Sequence, residues 1–71
     1  MVLNVTYNLY KFRMQAGLTQ QELADLAGVS KSTISGIENN KIHPTVPTIH
    51  LLAYALKIDI KDLINAQFID K

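Results

Sequence analysis

Apolar residues recur along the chain at helical rather than strand spacing. Val5, Leu9, Phe12 and Ala16 follow at steps of 4, 3 and 4 residues, one stripe of a first helix over about residues 5–16 that Asn4 can cap and Gly17 can end. Leu23 and Ala27 share a face of a second helix over about 19–27, and Ile34 and Ile37 share a face of a third over about 30–38. The third pattern stops at Asn39 and Asn40, residues that tolerate a left-handed backbone less readily than glycine. Lys41 to Pro47 holds both prolines and reads as a loop, with Pro47 tolerable in the first turn of a helix capped by Thr45. Ile49, Leu52, Ala53 and Leu56 then give a fourth helix over about 46–57. Asp59 caps a short fifth over about 60–65, across which Ile58 and Leu63 can pack. Residues 66–71 have no clear period and read as a short tail, although Phe68 and Ile69 are apolar for a free end. Five short helices joined by tight turns predict a compact all-α domain occupying residues 1–71.

The centre of this pattern is Gln20 to Asn39, where two helix starts repeat one grammar. Thr19 can accept from the free N–H groups of a helix start, and Glu22, three residues on, can reach back to the Thr19 N–H as a capping box. Leu18 before the cap and Leu23 inside the helix are spaced to staple the chain where it enters. Ser30 is the next cap, flanked in the same way by Val29 and Ile34. Between the helices stands Gly28, which can take the left-handed conformation that ends a helix without a Cβ penalty. So short a link, with small Ala24 where the neighbouring helix comes close, makes the two helices cross steeply. That is helix-turn-helix geometry.

Composition narrows what such a motif can serve. The 71 residues suit one core, and 48% hydrophobic content fills it. There is no cysteine, which fits a reducing cytoplasm, and no apolar run approaches about 18 residues, so neither a membrane span nor a signal peptide is expected. A cytoplasmic protein without membrane contact is expected. The net charge of +1 is modest for a nucleic-acid binder, so any such affinity must come from local placement of the seven Lys and Arg. His43 and His50 lie seven apart with no third ligand, arguing against a metal, and Ser30, Ser32 and Ser35 have no His and Asp arrangement for nucleophilic catalysis. No enzyme, cofactor or metal site is expected.

Arg13, Gly17-Leu18-Thr19-Gln20, Glu22-Leu23-Ala24, Gly28-Val29-Ser30 and Ile34-Ser35 with Ile37-Glu38-Asn39 together resemble the Cro/C1-type helix-turn-helix family of bacterial and phage transcriptional regulators. The resemblance runs from about Leu9 to Ile64. It implies a lambda-repressor-like domain of five helices whose second and third form the motif, most often a homodimer that binds a palindromic operator in double-stranded DNA and represses transcription. Carried onto this chain, it puts Gln20 at a phosphate or against the recognition helix. Lys31, Ser32, Thr33, Ser35 and Gly36 then belong to the helix that faces the major groove, Lys41 is a backbone contact, and Arg13 with Glu38 is a buried pair between helices one and three. Two departures stand out: Gly36 occupies a place where a longer side chain often reads a base, and Asn40 replaces the more usual glycine.

The chemistry of these side chains agrees with that assignment. Lys31 can donate to guanine O6 or N7, Ser32 and Thr33 can donate or accept, and the Thr33 methyl can meet thymine. Gln20 and Gln21 at a helix N-terminus can both reach phosphate, helped by the helix dipole. Gly36 permits close approach of backbone either to DNA or to another helix. Tyr54, Ile58, Ile60, Ile64, Phe68 and Ile69 exceed what one small core needs and are expected to form an interface through the fifth helix and tail. A two-fold dimer built there sets two recognition helices about 34 Å apart, the spacing of successive major grooves. Two rival readings use the same residues: a DNA-binding antitoxin whose apolar surface covers a toxin as protein partner, and a protein-interaction module that kept the fold without binding DNA.

Overall fold

Every helix contributes to one core. Leu9, Leu23, Ala24, Ile34, Ile37, Leu52 and Leu63 are almost wholly removed from solvent, and Ala27, Ile49, Ala53 and Leu56 complete the cluster. The computed structural model describes residues 1–70 and gives the order β1 (Val2–Tyr7), α1 (Leu9–Gln15), α2 (Gln20–Ala27), α3 (Lys31–Glu38), α4 (Val46–Leu56), α5 (Ile60–Leu63) and β2 (Ile64–Ile69). Leu18, Val29 and Ile58, each beside a helix start, pack on the rim of the core.

The domain is not all-α. β1 and β2, from opposite ends of the chain, form a two-stranded antiparallel sheet in which Val2 faces Ile69, Leu3 faces Phe68, Asn4 faces Gln67, Val5 faces Ala66, Thr6 faces Asn65 and Tyr7 faces Ile64. Two expectations fail here for one reason. The stripe that begins at Val5 has helical spacing, yet Val2, Val5, Thr6 and Tyr7 are residues that favour strands, and a distant partner satisfies their backbone groups. Asn4 therefore lies in a strand instead of capping a helix, and α1 starts at Leu9. The residue at its cap is Asn8, whose backbone N–H donates to the Leu63 carbonyl at 2.8 Å and whose side-chain amide donates to the Asp62 carbonyl at 2.9 Å. These bonds tie the start of α1 to the end of α5, where the two strands emerge together. α5 is a single turn, because Ile64 already has extended backbone (φ −98°, ψ 130°) as the first residue of β2. The segment expected to be a tail is thus paired with the N-terminus.

The ribbon lengthens the molecule to 40 Å against 22 and 21 Å across. Its base is packed: Tyr7 and Ile64 rest on the core. Its outer half is open, with Leu3 at 53% and Phe68 at 70% exposure.

Candidate nucleic-acid interface

α2 and α3 owe their ends to side chains within a few residues. The Glu22 N–H donates to Thr19 Oγ1 at 3.0 Å while the Thr19 N–H donates to Glu22 Oε1 at 2.9 Å, a complete capping box. Gly28 takes φ +73°, and its N–H donates to the Ala24 carbonyl. One residue later the chain enters α3, where the Thr33 N–H donates to Ser30 Oγ at 3.1 Å. Ile34 and Ile37 bury the inner face of α3, which leaves Lys31 and Ser32 exposed and Ser35 and Gly36 half-buried on its outer face.

A buried ionic cluster fixes the angle of that face. The Arg13 Nε donates to Glu38 Oε2 at 2.6 Å and Nη2 donates to Oε1 at 3.0 Å, a two-pronged pair between α1 and α3 with side chains only 9% and 6% exposed. Arg13 Nη1 donates to the Leu18 carbonyl at 2.8 Å, and Gln20 Nε2 donates to Glu38 Oε1 at 3.0 Å. α1 and α2 therefore meet α3 at one carboxylate, and Arg13 also ties in the turn before α2 through the Leu18 carbonyl. Burial pushes the Glu38 carboxyl up, but the hydrogen bonds from Arg13 and Gln20 and the Arg13 charge outweigh it and hold the group below the ordinary carboxylate range.

This shift has a pH signature with a fixed sign. A carboxyl whose folded pKa is lowered stabilises the fold above its unfolded value, here the ordinary 4.5, and that stabilisation is lost as pH falls from there through the lower folded value. Thermal melts from neutral to acid pH should show the midpoint of the wild-type chain dropping in that window. The Glu38→Gln variant, less stable at neutral pH, should show a flatter profile. Parallel profiles for the two proteins would count against the assignment.

Beside the cluster, Gln20, Lys31, Ser32, Ser35, Gly36, Asn39 and Lys41 line one shallow groove. Six of the eight residues expected at DNA along α2, α3 and the following loop are thus drawn into one surface, among them Gln20, whose amide is held by Glu38. Ser35 Oγ accepts from the Asn39 amide at 3.3 Å. Two expected residues lie apart. Gln21 is exposed on α2 and donates to Asp25 Oδ1 at 2.9 Å, and Thr33 is half-buried with its hydroxyl 2.8 Å from Ser30 Oγ.

Gly36 is explained by a residue that the sequence pattern did not single out. A Cβ added at Gly36 meets Ile42 Cγ1 at 2.9 Å and Cδ1 at 3.0 Å, so the side chain of Ile42 occupies the space a residue at 36 would fill. The Gly36 carbonyl accepts from the N–H of Lys41 at 2.8 Å and of Ile42 at 3.3 Å. Asn40, with φ +57°, supplies the left-handed step that turns the chain back onto α3. The close approach is therefore made by the loop after α3, which places Lys41 beside the groove.

The residues expected to form an interface are spread over α4, the link to α5, α5 itself and β2. Tyr54 is 87% exposed on α4, in a cleft with Leu26, Lys57 and Ile58. Ile58, Ile60 and Ile64 are half-buried against the core, while Phe68 and Ile69 belong to β2 and, as successive strand residues, point to opposite faces. His43 Nδ1 lies 3.0 Å from the Tyr7 hydroxyl, and His50 is exposed. Among the described residues no three His, Cys, Asp or Glu side chains gather as metal ligands, and no helix is long and apolar enough to cross a membrane.

Comparison with known proteins settles the family. The helix-turn-helix family model matches residues 9–63, which takes in all five helices and ends where β2 begins. The chain belongs to this helix-turn-helix family of Cro/C1 type. Its relatives are named as transcriptional regulators. An uncharacterized helix-turn-helix regulator of Sinorhizobium fredii, y4dJ, is 35% identical over 58 residues, 82% of this chain and 75% of that protein. The regulator PuuR of Escherichia coli is 32% identical over 57 residues, which cover 80% of this chain but 31% of PuuR. Among solved structures, the restriction-modification controller protein C.AhdI of Aeromonas hydrophila superposes with a TM-score of 0.75 at 33% identity, covering 78% of this chain and 83% of its own. The transcriptional regulator VanUg gives the same TM-score at 26% identity and covers 94% of this chain and 89% of its own. The helix-turn-helix core is common to these proteins, and in this family member a strand stands at each end of it.

Proposed function

We propose that this helix-turn-helix protein is a sequence-specific DNA-binding transcriptional regulator that acts as a repressor, two copies binding a palindromic operator. The observation that carries the reading is the single groove shared by Gln20, Lys31, Ser32, Ser35, Gly36 and Lys41 on the outer face of α2 and α3. Lys31 and Ser32 stand at the N-terminal end of α3, the end that meets base edges when such a helix lies in the major groove. Lys31 donates to guanine O6 or N7 there, and Ser32 and Ser35 form the smaller hydrogen bonds beside it. Gln20 and Lys41 flank the helix and take phosphate oxygens, which set the register of the protein on the duplex. Thr33 offers its methyl group, because its hydroxyl is engaged with Ser30. Gln21 contributes at the rim, where its amide can exchange Asp25 for phosphate.

Gly36 gives this reading a shape of its own. With Ile42 filling the space at position 36, base recognition is confined to the first turns of α3, and the far end contributes through the Lys41 side chain. A protein that reads few bases gains discrimination by using two half-sites, in accord with a dimer.

The test begins by selecting the preferred site from random DNA with the purified chain and titrating it at fixed salt. Lys31→Ala should weaken the selected site by about tenfold with less effect on unrelated DNA, as loss of one base contact requires. Lys41→Ala should weaken all sequences alike and lower the salt slope by about one. Wild-type affinity and salt dependence in both variants would overturn the reading.

A further inference from the structure

β1 lies outside the residues 9–63 that carry the family match, yet it brings one side chain to the loop that follows α3. The Tyr7 hydroxyl lies 3.0 Å from His43 Nδ1, one donating to the other, and the two rings meet edge to face with centroids 5.8 Å apart. Among the described residues this is the one hydrogen bond between β1 and that loop. The rest of the space between them is an open groove, lined by Leu3, Thr6, Asn40 and Ile42 among others.

Tyr7 itself is held from behind. It packs on the core opposite Ile64, and its neighbour Asn8 is bonded through its backbone to Leu63 and through its side chain to Asp62. The loop, by contrast, has few bonds of its own. The N–H groups of Lys41 and Ile42 donate to the Gly36 carbonyl at 2.8 and 3.3 Å, and from His43 to Thr45 no backbone N–H reaches a backbone acceptor among the described residues. Pro44 has no N–H to offer, and it biases His43 before it toward extended backbone. Lys41 and Ile42 are thus strung between two ties, Gly36 on α3 and Tyr7 on β1.

We infer that Tyr7 is a positioning residue for DNA binding: through His43 it holds the loop after α3 in the conformation that sets Lys41 beside the groove. The inference rests on the phosphate contact proposed for Lys41 and says how that contact is prepared. Lys41 is exposed, and a lysine side chain is a flexible stem with a compact charge at its end. Fixing its backbone before DNA arrives reduces the ordering that binding must otherwise impose, and the difference is affinity. The turn has reason to need a second tie. Asn40 stands at φ +57°, a conformation that asparagine tolerates less readily than glycine, so the Gly36 bonds on one side work against that preference and the Tyr7 bond supports them from the other.

Tyr7→Phe keeps the ring and removes the hydroxyl, so it tests the bond in the full chain. Without DNA, amide exchange at Lys41 and Ile42 should speed up about two- to tenfold, as loss of one hydrogen bond allows, while α2 and α4 keep wild-type rates. The His43 Nδ1 nitrogen resonance should move as well. With DNA, the selected site and unrelated sequences should both be bound about two- to tenfold more weakly, with a shallower salt dependence. In a Lys41→Ala background the same substitution should change affinity little, because its effect passes through that side chain. Circular dichroism shows whether each variant is folded, and if Tyr7→Phe is not, His43→Ala, at an exposed position, takes its place in the same cycle. Wild-type exchange at Lys41 and Ile42 would overturn the inference. So would losses that add in full in the double variant, which assign Tyr7 or His43 to a DNA contact of its own. If Lys41→Ala binds DNA like the wild-type chain, the phosphate contact proposed above is what fails, and the exchange rates alone decide whether Tyr7 holds the loop.

Discussion

Glu38→Ala is expected to cost about 3 to 5 kcal/mol of folding stability, because it leaves the buried Arg13 guanidinium with a single protein acceptor, the Leu18 carbonyl. It also removes the acceptor that holds Gln20. A domain of this size loses roughly 4 to 8 °C of melting temperature per kcal/mol, so a fall of about 12 °C or more should appear in a thermal melt. Two controls separate lost charge from lost packing. Glu38→Gln keeps the side-chain shape and one acceptor and should lose less. Replacing both partners, Arg13→Met with Glu38→Leu, removes the charges together and should recover much of the loss, since an apolar pair of similar volume avoids the cost of an unpaired buried charge. If Glu38→Ala melted within a few degrees of the wild-type chain, the cluster would not clamp α1, α2 and α3 together.

Ile34→Ala should be of similar size, about 2 to 5 kcal/mol, through loss of transfer energy and the cavity left behind. α3 is anchored to the core by two buried side chains, Ile34 and Ile37, with the Arg13–Glu38 pair near its C-terminal end. Truncating Ile34 therefore weakens the half of the helix that carries Lys31 and Ser32. Denaturant unfolding gives the global loss, and amide exchange should show α3 opening more readily than α4. Ile34→Val, which removes one methyl group, should cost about 0.5 to 1.5 kcal/mol. A graded series is the signature of packing. Equal and small losses for both substitutions would mean that the site collapses around the gap and that α3 is held by its ionic end.

What was legible beforehand shares a physical character. The caps of α2 and α3 join residues three apart, Thr19 with Glu22 and Ser30 with Thr33, and the helix-ending Gly28 acts through its own backbone. Such bonds form from local spacing alone, so residue order is enough to read them. The Arg13–Glu38 pair spans 25 residues and came instead from the resemblance to a known family. The interface set was harder: residue type marked Tyr54, Ile64 and Phe68 as apolar, but only the fold exposes Tyr54 on α4, rests Ile64 on the core and leaves Phe68 exposed on β2.

The sequence by itself determined the helix-turn-helix unit, its caps and the run of outward residues along α3, because those depend on neighbours one or two turns away. Tertiary structure alone decided that Val2–Tyr7 is a strand, since its partner is the last part of the chain and a helical period cannot reveal a distant backbone. It decided that Gln20 answers to Glu38, and that the empty place at Gly36 belongs to Ile42, whose contact depends on how the loop folds back over α3. Local order made the helices that carry the groove. The packing of distant segments set which side chains they present.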